Sequence, residues 1–168
     1  ALALARACPQ ARITAVDRSA DALHVAAANA QRLDLRVRWI RGNWFSDWHD
    51  HESDRPLTDL KARFDLIVSN PPYIAESDPH LPALRHEPRA ALVSGADGMA
   101  DLRRIAAEAG THLHEGGGLM LEHGHDQGPA VQALLLASGA RSSLGARHDL
   151  AGHWRCTGAE WGDRRNAP

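Results

Sequence analysis

The chain has 168 residues and a mass of 18.2 kDa, the usual size of one domain with one hydrophobic core. Hydrophobic residues make up 43% and charged residues 24%, so the composition excludes a disordered, collagen-like or coiled-coil chain. The 19 basic and 21 acidic residues leave a formal charge of −2, which gives no overall attraction to nucleic acid or to an anionic membrane.

The first half of the chain predicts alternating helices and strands. Their expected bounds are a helix ending at Pro9, a strand at 12–17, a helix at 19–33, a strand at 35–41 and an irregular surface segment with little structure at 42–63. Pro9 cannot continue a helix, and the β-branched run before Asp17 is typical of a buried parallel strand. Ser19 is well placed to cap the helix that follows it.

The second half continues the alternation. Its expected elements are a buried strand at 64–69, a long ordered loop at 70–98 with room for a short helix, a helix at 99–113, a glycine turn at 116–118, a strand at 119–123, a helix at 126–138 and strands at 140–149 and 153–161. Strands that alternate with helices predict an α/β fold with a doubly wound, mostly parallel sheet. Ligands bind outside the carboxyl ends of the strands in such a sheet.

Asp17 ends the first predicted strand, where a carboxylate can accept hydrogen bonds from both hydroxyls of a ribose. An ionised aspartate only accepts hydrogen bonds, and it can engage two donors. The residue is equally suited to capping the helix that follows. The spacing leaves both roles open.

Asn70, Pro71, Pro72 and Tyr73 follow directly after a predicted strand and give the strongest functional signal in the chain. Two consecutive prolines cannot donate backbone hydrogen bonds, so the carbonyl oxygens beside them are free to accept. The side-chain oxygen of Asn70 and the carbonyl of Pro71 can each take one N–H of a planar amide or amine, with Tyr73 packed on its plane. The pattern predicts an amino-group site; a plain Pro-Pro turn is the alternative.

A wider pattern accompanies these residues. Asp17 after a strand, Asn-Pro-Pro-Tyr at 70–73 and Leu-Glu-His-Gly at 121–124 resemble class I S-adenosylmethionine-dependent methyltransferases that modify planar nitrogen. Asn-Pro-Pro-Tyr alone is shared by adenine, guanine and glutamine enzymes. The chain as a whole resembles the release-factor glutamine methyltransferases, the HemK/PrmC family, through the segments 15–18, 29–31, 43–45, 68–74, 78–81, 87–92, 97–101 and 121–124.

The resemblance implies an enzyme of translation termination that uses S-adenosyl-L-methionine. In that family the methyl group goes to the side-chain amide nitrogen of the GGQ glutamine in class I peptide chain release factors. Asp17 would bind the ribose, Trp44 would pack near the adenine, and Asn70 would contact both cofactor and glutamine. The implied site residues are Asp17, Asn43, Trp44 and Asn70 for the cofactor, and Asn70, Pro71, Pro72 and Tyr73 for catalysis.

The sequence departs from the family pattern in two places. Asn43 stands where family members commonly carry an acidic residue, so a hydrogen bond to the adenine amino group would lack charge assistance. The glycine-rich loop and the first strand, which is central in the family's strand order 3-2-1-4-5-7-6, do not occur in these residues. We therefore interpret residues 1–168 as a partial, N-terminally truncated methyltransferase domain with an incomplete cofactor site.

Two other functions stay open. A nucleic-acid amino methyltransferase acting on adenine N6 or guanine N2 would use the same motif, but it normally needs a basic surface. A catalytically inactive module could keep the fold for partner binding.

The remaining expectations concern metal, compartment and partners. Three His-x-His pairs lack a third ligand at zinc spacing, so we expect no metal. Cys8 and Cys156 form neither a CxxC pair nor a disulfide framework, which is typical of the reducing cytoplasm. We find no membrane span and no signal peptide pattern, and we expect a monomer whose partner is a release factor rather than nucleic acid or a membrane.

Overall fold

A computed structural model describes residues 1–58 and 62–162, and the chain packs as two compact units, Ala1–Leu60 and Lys61–Pro168. Its helices are α1 (Leu2–Ala7), α2 (Ala20–Arg32), α3 (Ala100–Ala109) and α4 (Gly128–Ala137). Its strands are β1 (Thr14–Asp17), β2 (Arg38–Asn43), β3 (Ser46–Asp50), β4 (Phe64–Ser69), β5 (Leu113–Glu122), β6 (Ser142–His148) and β7 (Trp154–Glu160). Short 3₁₀ turns span Leu81–Leu84, Arg89–Ala91 and Gly110–His112.

The first unit is built on a three-stranded sheet in the order β1-β2-β3. β1 runs parallel to β2 with Asp17 opposite Arg41, and β2 runs antiparallel to β3. Helix α2 packs on β1 and β2, and its residues Leu23 and Ala30 are buried. The predicted cap of this helix is confirmed, because the Ser19 hydroxyl accepts a hydrogen bond from the Ala22 N–H at 3.2 Å.

The second unit is built on a four-stranded sheet in the order β4-β5-β7-β6, which matches 4-5-7-6 in the family order. Helix α3 packs against β5 and helix α4 against β7. The buried residues of this core include Leu102, Ile105, Leu119, Leu121, Val131 and Leu135. The α/β class predicted from the alternation of elements is confirmed.

The pairing of the strands is more mixed than the predicted, mostly parallel sheet. β4 and β5 are parallel, whereas β7 lies between β5 and β6 and runs antiparallel to both. Three of the four strands therefore share a direction while two of the three pairings in this sheet are antiparallel. The reversed strand comes from the short connection between β6 and β7, which forms a hairpin rather than a helical crossover.

The prediction that residues 42–63 carry little structure is wrong for much of that segment. It contains the end of β2 and all of β3, which form a hairpin around Trp44 and Phe45. Trp48 on β3 is buried, and a Cβ at Gly42 would meet its indole ring at 2.5 Å, so the ring packs directly on the neighbouring strand. Residues 59–61 lie outside the described residues.

The glycine run at 116–118 does not form the turn that we predicted between a helix and a strand. It lies inside β5, which begins at Leu113 because α3 ends at Ala109 and a 3₁₀ turn follows. The glycine run coincides with a bulge in β5. Phe64 pairs with Leu113 and Leu66 pairs with Gly118, so two residues of β4 lie opposite five of β5.

The strand before Asn70, predicted to be buried, is exposed on one face. Leu66 and Val68 of β4 are 47% and 54% exposed, and in the described residues β4 pairs with β5 alone. In the part of the chain that the structure describes, no helix is long and apolar enough to cross a membrane.

Candidate functional site

In the first unit, the polar ends of two parallel strands lie side by side. Asp17 is the last residue of β1 and pairs with Arg41, so Asn43 ends β2 just beyond it and Trp44 follows. The structure therefore brings the three predicted cofactor residues of this unit to one sheet edge, as the parallel pairing requires.

Asp17 is exposed, and one of its carboxylate oxygens is in use. Its Oδ1 accepts a hydrogen bond from the backbone N–H of Ser19 at 2.8 Å, which shapes the turn into α2. The cap of the helix itself is the Ser19 hydroxyl. Because an ionised carboxylate has about four lone-pair sites, Asp17 keeps acceptor capacity toward a ligand.

The turn after Asn43 is held by side chains that donate to its backbone. The Trp48 indole N–H donates to the carbonyl of Trp44 at 2.8 Å, and the Ser46 hydroxyl donates to the carbonyl of Asn43 at 3.0 Å. Trp44 has φ +57°, a left-handed conformation that is unusual for a bulky aromatic residue. Such strained residues cluster at ligand-binding positions.

In the second unit, Asn70, Pro71, Pro72 and Tyr73 leave the carboxyl end of β4. Asn70 is exposed, Pro71 is fully buried, and Pro72 and Tyr73 are half-buried. The buried proline anchors the segment, and the exposed amide of Asn70 is free to face a ligand.

The chain after Tyr73 is tied to the far end of the same loop. The N–H of Ile74 donates to the carbonyl of Leu92 at 2.9 Å, and the carbonyl of Ile74 accepts from the N–H of Ser94 at 3.0 Å. Ser94 is buried, and its hydroxyl accepts from the backbone N–H of Asp101 in α3 at 2.7 Å. The loop therefore closes on itself and is fixed to a helix, as expected for an ordered loop.

Tyr73 meets two side chains from the end of β5 and the start of α4. Its hydroxyl lies 3.4 Å from Oε1 of Glu122, and its carbonyl accepts a 3.0 Å hydrogen bond from Nε2 of Gln127. Burial raises the pKa of the Tyr73 hydroxyl, and the charge of Glu122 raises it further. The phenol is therefore a neutral hydrogen-bond donor at physiological pH.

His123 follows Glu122, the last residue of β5, along the chain and is completely buried. Its Nδ1 lies 2.8 Å from the carbonyl of Gly124, and its Nε2 lies 2.8 Å from the Thr157 hydroxyl. A carbonyl only accepts, so Nδ1 carries the proton and Nε2 accepts from Thr157 in the neutral ring. Burial lowers the pKa of this imidazole, which favours the neutral form.

Sequence reasoning missed Glu122 and Gln127 as contacts of Tyr73. It used Leu-Glu-His-Gly at 121–124 only as a marker of family resemblance. One signal was available. Glu122 is the last residue of a strand and Asn70 directly follows another, and the carboxyl ends of neighbouring parallel strands lie at the same edge of a sheet. Among the described residues, no group of three or more His, Cys, Asp or Glu side chains is arranged to hold a metal ion.

Residues 1–134 match the family model of the methyltransferase small domain. The chain belongs to this methyltransferase family. The match covers both Asp17 and the Asn70–Tyr73 segment, so the two sets of residues described above fall within one family pattern.

Curated relatives of the chain agree with the resemblance predicted from its sequence. The release factor glutamine methyltransferase of Bordetella pertussis is 49% identical over 160 residues, which are 94% of this chain and 55% of the relative. That of Vibrio cholerae is 41% identical over 170 residues, 99% of this chain and 56% of the relative. The chain spans about half the length of the curated relatives it matches.

A solved structure supports the fold. The methyltransferase from Pyrococcus furiosus superposes with a TM-score of 0.63 at 18% identity, covering 90% of this chain and 64% of that one. At this identity the likeness concerns the fold alone, and it agrees with the α/β architecture described above.

Proposed function

We propose that this methyltransferase transfers a methyl group from S-adenosyl-L-methionine to the side-chain amide nitrogen of the GGQ glutamine in class I peptide chain release factors. The observation that carries the proposal is the exposed Asn70 amide on a buried Pro71, in a chain 49% identical to a release factor glutamine methyltransferase. An amide substrate would match the hydrogen-bonding capacity of the Asn70 side chain.

The chemistry of the glutamine amide explains why the site would offer oxygen atoms that accept hydrogen bonds. An amide nitrogen is a poor nucleophile because its lone pair is delocalised into the carbonyl group. The Asn70 oxygen and the Pro71 carbonyl would each accept one N–H of the glutamine amide, which fixes the plane of the group and favours its rehybridisation. Positioning of this kind supplies much of the rate enhancement when the other reactant is already activated.

Tyr73 and its neighbours would hold the acceptor side of the site. The phenol ring would pack on the plane of the glutamine amide, with its hydroxyl oriented by Glu122. Proline residues at 71 and 72 present no N–H that could compete with the substrate for the acceptors.

The first unit would hold the cofactor. S-adenosyl-L-methionine supplies its own reactive sulfonium methyl, so the protein needs only to bind and orient it. The exposed carboxylate of Asp17 suits the ribose hydroxyls, and Asn43 with Trp44 lies at the adjacent strand end, where an adenine ring would lie. The Asn43 amide oxygen can accept from the adenine amino group without charge assistance.

We extend the proposal to the whole chain and its partners. Residues 1–168 belong to one methyltransferase catalytic domain. The protein acts in the cytoplasm as a monomer, and its partner is a release factor rather than nucleic acid or a membrane. The family match across both units, from residue 1 to residue 134, supports a single domain.

A radiolabelled-methyl assay tests the substrate. A version extended at its N terminus to the length of the relatives is offered a class I release factor, duplex DNA and ribosomal RNA side by side. We expect label in the release factor and none after its GGQ glutamine is changed to alanine. Label in nucleic acid alone would replace the substrate by an adenine or guanine amino group, and label in none would favour a binding module without activity.

A further inference from the structure

Gln127 connects the Asn70–Tyr73 segment to the end of β5 through both ends of its side-chain amide. Its Nε2 donates to the carbonyl of Tyr73 at 3.0 Å, and its Oε1 accepts from the backbone N–H of Gly124 at 2.8 Å. The residue stands at the N-cap of α4, half-buried, so its backbone is fixed by the helix. The nitrogen and the oxygen of this side-chain amide therefore both form hydrogen bonds, and they link Gly124 to Tyr73, which lies 54 residues before Gln127 in the sequence.

A glycine keeps this contact open. Gly98 is buried and has φ +73°, and a Cβ at this position would overlap the carbonyl oxygen of Tyr73 and lie 2.9 Å from Nε2 of Gln127. A left-handed glycine is therefore required where the carbonyl and the amide meet. Any side chain at residue 98 would therefore collide with the two groups that form the Gln127–Tyr73 hydrogen bond.

The segment needs a donor from elsewhere because its own backbone offers few. Pro71 and Pro72 have no N–H, so neither can donate a ladder hydrogen bond to a neighbouring strand. Beyond them, Ile74 is tied to Leu92 and Ser94. The carbonyl of Tyr73 lies between the two prolines and Ile74, and it is held by the hydrogen bond from Gln127.

We propose that Gln127 is a positioning residue that holds the backbone of Tyr73, and through it Asn70 and Pro71, in the geometry needed for methyl transfer. The inference rests on the proposed function, since it concerns the same amide-binding segment. Gln127 acts through Tyr73 and does not itself contact the acceptor amide.

The substitution Gln127→Glu separates this role from a general effect on stability. It keeps an oxygen for the Gly124 N–H and replaces the donor to Tyr73 by an acceptor, so only the bond to the segment is lost. A negative charge at the N terminus of α4 also interacts favourably with the helix dipole. Gln132→Glu, in the same helix, introduces the same charge away from Tyr73 and serves as the matched control.

The kinetic test uses the N-terminally extended protein and a class I release factor. We expect Q127E to lower kcat about 10–100-fold, because displacements on the order of 1 Å at a reacting group cost rate on this scale. KM for S-adenosyl-L-methionine should change by less than about threefold, and Q132E should match the wild type. The activity of Q127E relative to wild type should rise as the pH is lowered, because the introduced carboxyl group, once protonated, regains a donor for the Tyr73 carbonyl.

A second readout needs no activity. Tyr73 is the only tyrosine in the chain, so protein labelled at tyrosine gives resonances from this residue alone. We expect the backbone carbonyl and ring resonances of Tyr73 to shift in Q127E and not in Q132E.

The two readouts distinguish failure of the inference from failure of the proposed function. Q127E kinetics equal to wild type at every pH, or an unchanged Tyr73 spectrum, would overturn the positioning role. If the wild type transfers no methyl to the release factor, the proposed function fails. A Tyr73 shift confined to Q127E then still supports the structural part of the inference, and no shift overturns it.

Discussion

The hydroxyl of Tyr73 lies 3.4 Å from Oε1 of Glu122, at the carboxyl ends of the parallel strands β4 and β5. The distance is long for an O–H···O hydrogen bond, so the contact is weak and mainly orients the phenol. Its electrostatic effect is larger, because a nearby carboxylate disfavours the tyrosinate anion.

We therefore expect Glu122→Gln to lower the pKa of Tyr73. Burial raises this pKa first and the Glu122 charge adds to it, so removing the charge moves the titration midpoint toward the ordinary value while burial keeps it above. Titration of the single tyrosine by ultraviolet absorbance measures the shift directly. Glu115→Gln, an exposed change on the same strand, should leave the midpoint unchanged; an equal midpoint in all three proteins would contradict the contact.

Gly98→Ala should destabilise the fold more than Gly152→Ala does. Both glycines have positive φ, +73° and +83°, so each alanine carries a backbone strain of about 1–2 kcal/mol. Only at Gly98 does a Cβ meet neighbouring atoms, the carbonyl of Tyr73 and Nε2 of Gln127. Urea unfolding should show an additional loss of about 1–3 kcal/mol for Gly98→Ala. Equal losses would mean that residue 98 has room for a side chain.

His123 should make the stability depend on pH. Its folded-state pKa is lowered by burial, so below the unfolded value of about 6.5 the unfolded chain binds a proton that the folded chain does not. The free energy of unfolding then falls as the pH falls, by at most about 1.4 kcal/mol per pH unit for one such group.

Urea unfolding between about pH 8 and about pH 5 measures this slope. His123→Gln removes the titrating group and should flatten it, whatever the change in stability at neutral pH. His125→Gln, at an exposed position, should keep the wild-type slope. A slope that persists in His123→Gln would assign the pH dependence to other groups.

The positions of the predicted binding residues at strand ends could be predicted because each depends on a short stretch of neighbouring sequence. Asp17 follows a β-branched strand, and two prolines after Asn70 end another, so both were placed correctly at strand ends. The hairpin of β2 and β3 was not readable. Its turn is Trp44-Phe45, without the glycine or asparagine that usually marks a two-residue hairpin loop.

The partners of Tyr73 were out of reach for a different reason. Glu122 and Gln127 are 49 and 54 residues away in sequence, and they meet Tyr73 only because β4 pairs with β5. Periodicity predicts which residues form strands but not which strands become neighbours.

Asp17→Asn should weaken cofactor binding by about 1.5–3 kcal/mol in the N-terminally extended protein, because hydrogen bonds to ribose lose their charge assistance. The asparagine oxygen can still accept from the Ser19 N–H, so the turn into α2 and the melting temperature without cofactor should change little. Calorimetric titration with S-adenosyl-L-methionine measures the affinity. Asp21→Asn, in the first turn of α2, is the control, and unchanged affinity in Asp17→Asn would leave this carboxylate only its part in the turn.

Asn70→Ala should remove most of the turnover of the extended protein on a release factor. Loss of one contact that positions a reacting group commonly costs on the order of 10²-fold in rate. Asn70 is exposed, so its truncation should change the free energy of unfolding by no more than about 0.5 kcal/mol, and urea unfolding separates lost turnover from lost fold.

Asn70→Asp completes that test, because it keeps an oxygen at the same place and replaces the amide NH₂ with a second, charged oxygen. If the Asn70 oxygen holds the acceptor amide, Asn70→Asp should retain more turnover than Asn70→Ala, although its charge also acts on the sulfonium of the cofactor. Methyl transfer to the release factor at saturating cofactor measures both variants. Turnover in Asn70→Ala within about threefold of wild type would show that the amide is fixed by other acceptors, and the carbonyl of Pro71 would then be the one that remains.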